Sequence, residues 1–348
     1  MEKNRNNQQE TYSIFFVSKI KQKILIKKKK NVIMEKNNNY GSSETIRKAP
    51  LFSFYLFYKY GHAEHVPRID ESFLEWFIGF FEGDGSFSID SDKITSNKKR
   101  LYLTIGQKEK SIIKKISHTF GFGSVSYFKR NSNTYWQWRI SSKIGLEQIA
   151  LLFFGNLILF KRRDQFLNWI KVGNKQGLFN YDFNIDLNWN SNISLNNAWL
   201  SGFIDAEGCF YANFFIKKLS NKIIKNKFYQ SFSLKQTIVN ANDKQIFNQI
   251  LILFESKSKV YIFYPKNKTK YLSIQLKSKQ SQKLLINYLF NYKLKTIKNI
   301  SFLRWWRIYL LKTKKKELFI SQNLSEKSIK KIKRLVKAIN SHSKKAYY

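Results

Sequence analysis

Apolar and polar positions along the chain fall into two series that repeat one another. Residues 73–87 read FLEWFIGFFEGDGSF and residues 196–210 read NNAWLSGFIDAEGCF. Apolar residues at helical spacing open both, which predicts helices at about 73–83 and 196–206. Phe87 and Ile89 then alternate with Ser86, Ser88 and Asp90, and Leu101, Leu103 and Ile105 continue that period of two. Ile112, Ile113, Ile116 and Phe120 return to helical spacing, and the glycines at 121 and 123 stop it. Strands at 124–130 and 134–140 flank Asn131, Ser132 and Asn133, a turn sequence, and 146–154 reads as a helix. The second series predicts strands at 211–216 and 229–236, a helix at 246–254, strands at 259–264 and 270–276, and a helix at 282–291. Each series is therefore helix, hairpin, helix, hairpin, helix, and the chain is α+β, a tandem pseudo-twofold αββαββα repeat.

Four collinear matches support a duplication. Asp84 maps to Glu207 at an offset of 123, and 103–107 maps to 232–236 at 129. Residues 139–143 map to 275–279 at 136, and Phe166 and Trp169 map to Phe302 and Trp305 at the same offset. The first repeat is expected over 70–171 and the second over 193–311, joined by a polar, Asn-rich linker at 172–192. Residues 1–69, with the basic block KIKQKILIKKKKN at 19–31, read as an extension outside the fold, with Met34 as an internal start. Residues 312–348 read as a basic tail holding one helix at about 325–339. Trp305 and Trp306, at helical spacing from Phe302, read as core. His62 and His65 lie before the expected body and are given no metal role.

Charge narrows the partner. Sixty-three Lys and Arg face 23 Asp and Glu, a net charge of +40, which points to a polyanion, foremost nucleic acid. Lys, Ile, Asn, Phe, Tyr and Met, the residues of AT-rich codons, make up about half the chain, so part of the charge reflects codon drift in an organellar genome. A single cysteine excludes a disulfide scaffold or a Cys-rich zinc module. The longest nearly uncharged apolar run, 149–160, is short of the roughly 20 residues of a membrane span. No secretory signal, Walker loop, dinucleotide fingerprint or nucleophile elbow is present.

The scarce acids carry the chemistry. Gly79 and Gly83, and Gly202 and Ala206, stand four apart on one helix face and let two helices approach closely. If the motif helices pair about the pseudo-twofold axis, their terminal acids, Asp84 and Glu207, converge there. A carboxylate at a helix C-terminus is unfavourable, and a shared divalent cation offsets it. Oxygen-only ligation favours Mg²⁺, with Mn²⁺ able to substitute. Gly85 and Gly208 just beyond suit a left-handed turn. After Gly208 there are four acids against 32 basic residues, so the motif acids stand out.

Residues 77–85 (FIGFFEGDG) and 200–208 (LSGFIDAEG) resemble the two motifs of LAGLIDADG homing endonucleases. The resemblance spans about 70–311. Phe77, Phe80, Phe81 and Glu82 depart from the usual pattern in the first motif. The resemblance implies motif helices at the interface of two halves, each offering a saddle-shaped antiparallel sheet to the major groove. It implies Asp84 and Glu207 as metal ligands and Glu82 and Asp205 as structural acids. Gln107 and Gln236 match the position that orients the attacking water, and Lys143 and Lys279 a basic residue near the scissile phosphate. Metal-assisted hydrolysis of both strands with short 3′ overhangs is the implied reaction. Base readout is expected from Ser86, Ser88, Tyr135, Gln137 and Arg139, and from Tyr211, Asn213, Tyr229, Ser231 and Lys235. The expected partner is double-stranded DNA with a long, nearly asymmetric target, bound by a monomer with no membrane association. The expected setting is an organelle, mitochondrion or chloroplast. Two rivals share the scaffold: an RNA maturase acting on the host intron RNA, and a decayed relative that binds DNA without cutting.

Overall fold

The structure is a computed structural model that describes residues 52–91, 99–183, 189, 191–219, 222–264, 269–314 and 326–341. In the first repeat, helix α1 (Glu71–Asp84) leads into strands β1 (Gly85–Ser91) and β2 (Lys99–Gln107), helix α2 (Lys110–Phe120), strands β3 (Ser124–Arg130) and β4 (Asn133–Ile140), and helix α3 (Lys143–Phe153). Helix α4 (Phe160–Lys175) follows. The second repeat runs α5 (Trp199–Glu207), β5 (Gly208–Leu219), β6 (Lys222–Thr237), α6 (Asp243–Leu253), β7 (Tyr261–Phe263), β8 (Tyr271–Leu276), α7 (Lys279–Asn291) and α8 (Lys298–Lys314). Helix α9 (Glu326–Ala338) closes the described chain.

Local chemistry accounts for the boundaries. Asp70 caps α1 by accepting from the Phe73 N–H at 3.2 Å. Gly121, with φ of 74°, ends α2 in the left-handed region. Asn131 and Ser132 both have positive φ, 48° and 61°, as a two-residue turn between twisted strands requires. Ser142 and Ser278 cap α3 and α7 through the N–H groups of Gly145 and Ser281. The Ser-Lys pairs matched in the sequence are thus helix starts.

The strand orders β1-β2-β4-β3 and β5-β6-β8-β7 are identical in topology and antiparallel throughout. Leu103, Ile105, Trp138 and Ile140 turn one face of the first sheet into the core, and Phe232, Leu234, Ile274 and Leu276 do so in the second. Helices cover that face, and the opposite face of each sheet is open. Burying these side chains contributes roughly 1.5–3 kcal/mol each.

Each repeat is αββαββα followed by one further helix, α4 and α8, which carry the matched Phe166–Trp169 and Phe302–Trp305 pairs in the core. Four expected boundaries need correction. The second motif helix starts at Trp199 rather than 196, because Asn197 is buried and its Oδ1 accepts the Trp199 N–H at 3.1 Å. Residues 52–69 belong to the folded body: Phe52, Phe54 and Phe57 are buried in the main core, and Asn156 exchanges two hydrogen bonds with the Ser53 backbone. The expected linker begins later, since α4 runs to Lys175 and Phe183 is buried. The expected tail starts inside α8, and its helix α9 packs Ile329 and Ile332 on Phe214, beneath a hairpin whose strands of 12 and 16 residues exceed the 7 and 9 of the first repeat. The basic block at 19–31 and Met34 lie outside the described residues. No helix among the described residues is long and apolar enough to cross a membrane.

Candidate active site

Helices α1 and α5 meet backbone to backbone. A Cβ added at Gly79 would lie 1.9 Å from the Trp199 carbonyl oxygen, and one at Gly202 would lie 1.8 Å from that of Trp76. One turn on, a Cβ at Gly83 would lie 2.2 Å from the Ala206 Cβ. Only glycine allows this approach, and it carries both helix ends to one place. Gly85 and Gly208 have φ of −83° and −77°, so neither is left-handed as expected. A side chain there fails for space instead: a Cβ at Gly85 would sit 2.1 Å from the Phe81 ring, and one at Gly208 2.7 Å from the Ile204 oxygen.

Reciprocal bonds lock the pair. The Trp76 indole donates to Asp205 Oδ2 at 2.8 Å, and the Trp199 indole donates to Glu82 Oε2. Glu82 Oε1 also accepts the N–H groups of Ile158 and Leu159 at 2.8 and 2.6 Å, just before α4. Asp205 accepts those of Lys295 and Thr296 at 2.6 and 3.3 Å, just before α8. Both acids are fully used as structural ties, as the resemblance implies. A second exchange crosses the repeats: Glu109 accepts the Ile297 N–H and Asp243 accepts the Phe160 N–H, both at 2.7 Å.

Asp84 and Glu207 stand at the junction. The Gln107 side-chain amide donates to Asp84 Oδ2. Gln236 behaves differently: it is buried, its amide donates to the Glu82 carbonyl at 3.4 Å, and its own oxygen accepts the Thr237 N–H. Three cations that the sequence reading passed over surround the acids. Arg162 donates to the carbonyls of Glu82 and Gly83 at 2.9 and 3.0 Å, closing the C-terminal turn of α1. Lys298 donates to those of Ile204 and Ala206 at 3.2 and 2.9 Å, doing the same for α5. Arg162 and Lys298 are 136 apart, so extending the Phe166–Phe302 match four residues back would have found them. Lys161 is also buried beside them, and burial pulls its ammonium down to about 8.

A cavity of about 400 Å³ opens beside the helix ends, lined by Asp84, Gln107, Lys108, Ala206, Cys209 and Lys298 among others. Burial pushes the Asp84 carboxyl up to about 6, against the pull of Lys298, Arg162 and Lys161. Burial and then the nearby Asp84 charge push Glu207 up to about 7. Both carboxyls therefore hold their protons to higher pH in the folded protein than in the unfolded chain. Stability of the metal-free protein should fall as pH rises from about 4 through about 7, by of order 3 kcal/mol. Urea melts of the wild type at pH 5 and pH 8, set against an Asp84→Asn, Glu207→Gln variant, measure this. A wild-type loss no larger than the variant's contradicts it.

The donor set fits a hard divalent cation. Asp84 lines the cavity and its charge acts on Glu207 at the end of the facing helix. Each carboxylate is disfavoured as a bare charge, and a cation relieves that. No cluster of three or more His, Cys, Asp or Glu side chains suited to a metal occurs among the described residues. Water and phosphate oxygens would complete the shell, which is how Mg²⁺ is commonly held.

All ten residues expected to read bases share the open sheet faces. Ser86, Ser88, Tyr135, Gln137 and Arg139 alternate with the buried positions of β1 and β4, and pairing sets Arg139 opposite Thr104 and Gln137 opposite Gly106. Tyr211, Asn213, Tyr229, Ser231 and Lys235 do likewise, with Tyr211 opposite Ser231 and Asn213 opposite Tyr229. Lys143 and Lys279 are exposed in the first turns of α3 and α7, and the cations whose charge acts on Asp84 and Glu207 are Lys298, Arg162 and Lys161 instead.

Two stretches of the chain, residues 77–173 and 200–309, match the family model for LAGLIDADG endonucleases. The chain belongs to that family. It is 32% identical over 247 residues to a probable intron-encoded endonuclease 4 of Neurospora crassa, covering 70% of this chain and 41% of that protein. It is 25% identical over 261 residues to a probable intron-encoded endonuclease aI3 of Dictyostelium citrinum, covering 68% of this chain and 96% of that protein. The chain thus spans less than half of the first relative and nearly all of the second. Among solved structures it resembles the LAGLIDADG meganuclease I-CpaMI bound to uncleaved DNA (17% identity, TM-score 0.57, 77% of this chain and 99% of that one). It also resembles the homing endonuclease I-LtrWI bound to target DNA (20% identity, TM-score 0.59, 78% and 99%). These likenesses concern the fold, two four-stranded sheets with helices on one side.

Proposed function

We propose that the chain is a single-chain, double-motif homing endonuclease. It hydrolyses one phosphodiester in each strand of a long, nearly asymmetric duplex site, leaves short 3′ overhangs, and so promotes mobility of the intron that encodes it. The observation that carries this reading is the meeting of Asp84 and Glu207 at the junction of two like sheets whose open faces are polar. It acts as a monomer with Mg²⁺, for which Mn²⁺ substitutes. The gene is organellar, and a 27% identical cox1 intron-2 protein of Schizosaccharomyces pombe favours the mitochondrion over the chloroplast.

Asp84 and Glu207 would hold the cation, which when bound supplies charge neutralisation and acidifies water near neutral pH. Gln107, held on Asp84, orients the attacking water from the first repeat. Gln236 lies against the end of α1, so the two centres are not equivalent. Arg162 and Lys298 fix the turns on which the acids sit. Lys143 and Lys279, exposed in the first turns of α3 and α7, join the lysines that grip phosphate. Open-face side chains read base edges, and the lysine excess grips phosphate, so binding weakens steeply with salt.

The test uses a plasmid library carrying randomised inserts, incubated with the purified full chain and Mg²⁺. Linearised products should converge on one long site with 3′ overhangs, and EDTA should leave the library intact. A second reading, a maturase for intron RNA, draws on 30% identity over 136 residues to the intron-encoded RNA maturase bI4 of Saccharomyces cerevisiae. No linearisation, with faster splicing of a host intron transcript, would make that reading the better one.

A further inference from the structure

Two pairs of exposed aromatic rings occupy matching places on the two open faces. Phe128 on β3 is the cross-strand partner of Tyr135 on β4, and their rings stack at 5.5 Å and 11°. Phe263 on β7 is the partner of Tyr271 on β8, and their rings stack at 5.0 Å and 13°. The pairs are 135 and 136 residues apart, the offset of the duplication in this region. Phe128 and Phe263 keep 44% and 42% of their surface exposed. Both lie on edge strands and point away from the helices that cover the opposite sheet face. A lysine ammonium stands near each tyrosine ring, Lys108 at 5.5 Å from Tyr135 and Lys235 at 5.7 Å from Tyr271.

Neither core packing nor solvation explains these phenylalanines. The tyrosine covers one side of each phenylalanine, and the rest of a large apolar ring stays bare on a sheet face among serines, glutamines and lysines. The same placement recurs in both repeats. What covers the rings must be apolar where it meets them and anionic around them, since a cation flanks each pair. In the DNA major groove the one apolar group on any base edge is the thymine C5 methyl. Resting on the proposal that these faces bind duplex DNA, we infer that the Phe128–Tyr135 and Phe263–Tyr271 pairs are thymine-methyl readers. Each demands thymine at one position of its half-site, and the two positions are related by the pseudo-twofold axis. Lys108 takes an adjacent phosphate, and Lys235 stays among the base-edge candidates beside its pair. Polar side chains read the donors and acceptors of a base edge and not its methyl group. Tyr135 is the one of the ten base-reading candidates that belongs to a pair, and Phe128 and Phe263 were not among them.

Uracil provides the test, because it pairs as thymine does and lacks only the methyl. Duplexes are enriched by binding from a randomised pool, and each thymine of the best site is replaced singly by uracil. Affinity should drop about fourfold at two positions, one per half-site, the worth of one buried methyl-sized group. Phe128→Ser should abolish the drop in one half-site and keep it in the other, and Phe263→Ser should do the reverse. The retained half-site shows that each variant is folded and docked. Indifference to uracil at every position, or a drop that survives the matching substitution, overturns the inference while leaving the nuclease reading intact. A pool from which no sequence is enriched sinks both.

Discussion

An Asp84→Asn, Glu207→Gln double variant should bind its duplex site within about threefold of wild type and cut it at least about 10³-fold more slowly, the scale on which a preorganised catalytic charge acts. The amides keep the shape of the carboxyls and lose the charge that a divalent cation needs. Binding should survive because it resides on the sheet faces, away from the helix ends. Each single variant weakens the hold on the shared cation and should slow both strands, unequally, so Asp84→Asn alone should accumulate nicked circles before linear plasmid. The inequivalence of Gln107 and Gln236 predicts that the two single variants nick at different rates. Gel shift and plasmid relaxation, run on the same preparations, read binding and cutting separately. Cutting by the double variant at the wild-type rate would remove both acids from the chemistry.

Gly79→Val or Gly202→Val should cost more than about 4 kcal/mol and leave little folded protein. The obstacle is the backbone oxygen of the facing helix, at 1.9 or 1.8 Å from the new Cβ. A side chain can rotate away; a carbonyl in the middle of a helix cannot. Moving the helices apart would break the bonds of Trp76 to Asp205 and Trp199 to Glu82, leaving buried carboxyls short of donors. Gly106→Val is the control: its nearest neighbour is 4.0 Å away and its backbone is not left-handed, so it should fold. Circular dichroism and thermal melts of the purified variants decide the matter. A Gly202→Val protein melting at the wild-type temperature would mean that the helices pack elsewhere.

The sequence made some elements legible and concealed others for identifiable reasons. Hairpins were readable because alternation and turn chemistry agree, as at Asn131 and Ser132. The motif helices were readable because small residues recur at matching places. Helix α4 was not, because Lys161, Arg162 and Arg163 stand together in its first turn and read as surface. They are buried because partners wait inside: the end of α1 offers carbonyls to Arg162, the Leu157 carbonyl and the Ser191 hydroxyl take Arg163, and the charges of Glu207, Asp243 and Glu82 act on Lys161. The acids that bridge the repeats, Glu109 and Asp243, were silent for the opposite reason. A lone acid near a helix start looks like an ordinary cap, and only coordinates show that each accepts from the other repeat. Residues 52–69 carry no period at all, since they pack as irregular chain around a single π-helical turn at Phe57–Gly61.

Those bridging acids bear on how such a chain can change. Glu109 holds the segment entering α8, and Asp243 holds the segment entering α4. Each repeat thus seats the final helix of the other, and that helix carries the cation closing its own motif turn. The halves are not interchangeable cassettes. A hybrid that takes one half from a relative inherits a final helix built for a different host, and must match these two bonds before any new target can be tried. Drift in one half is tolerable only where the other half already permits it.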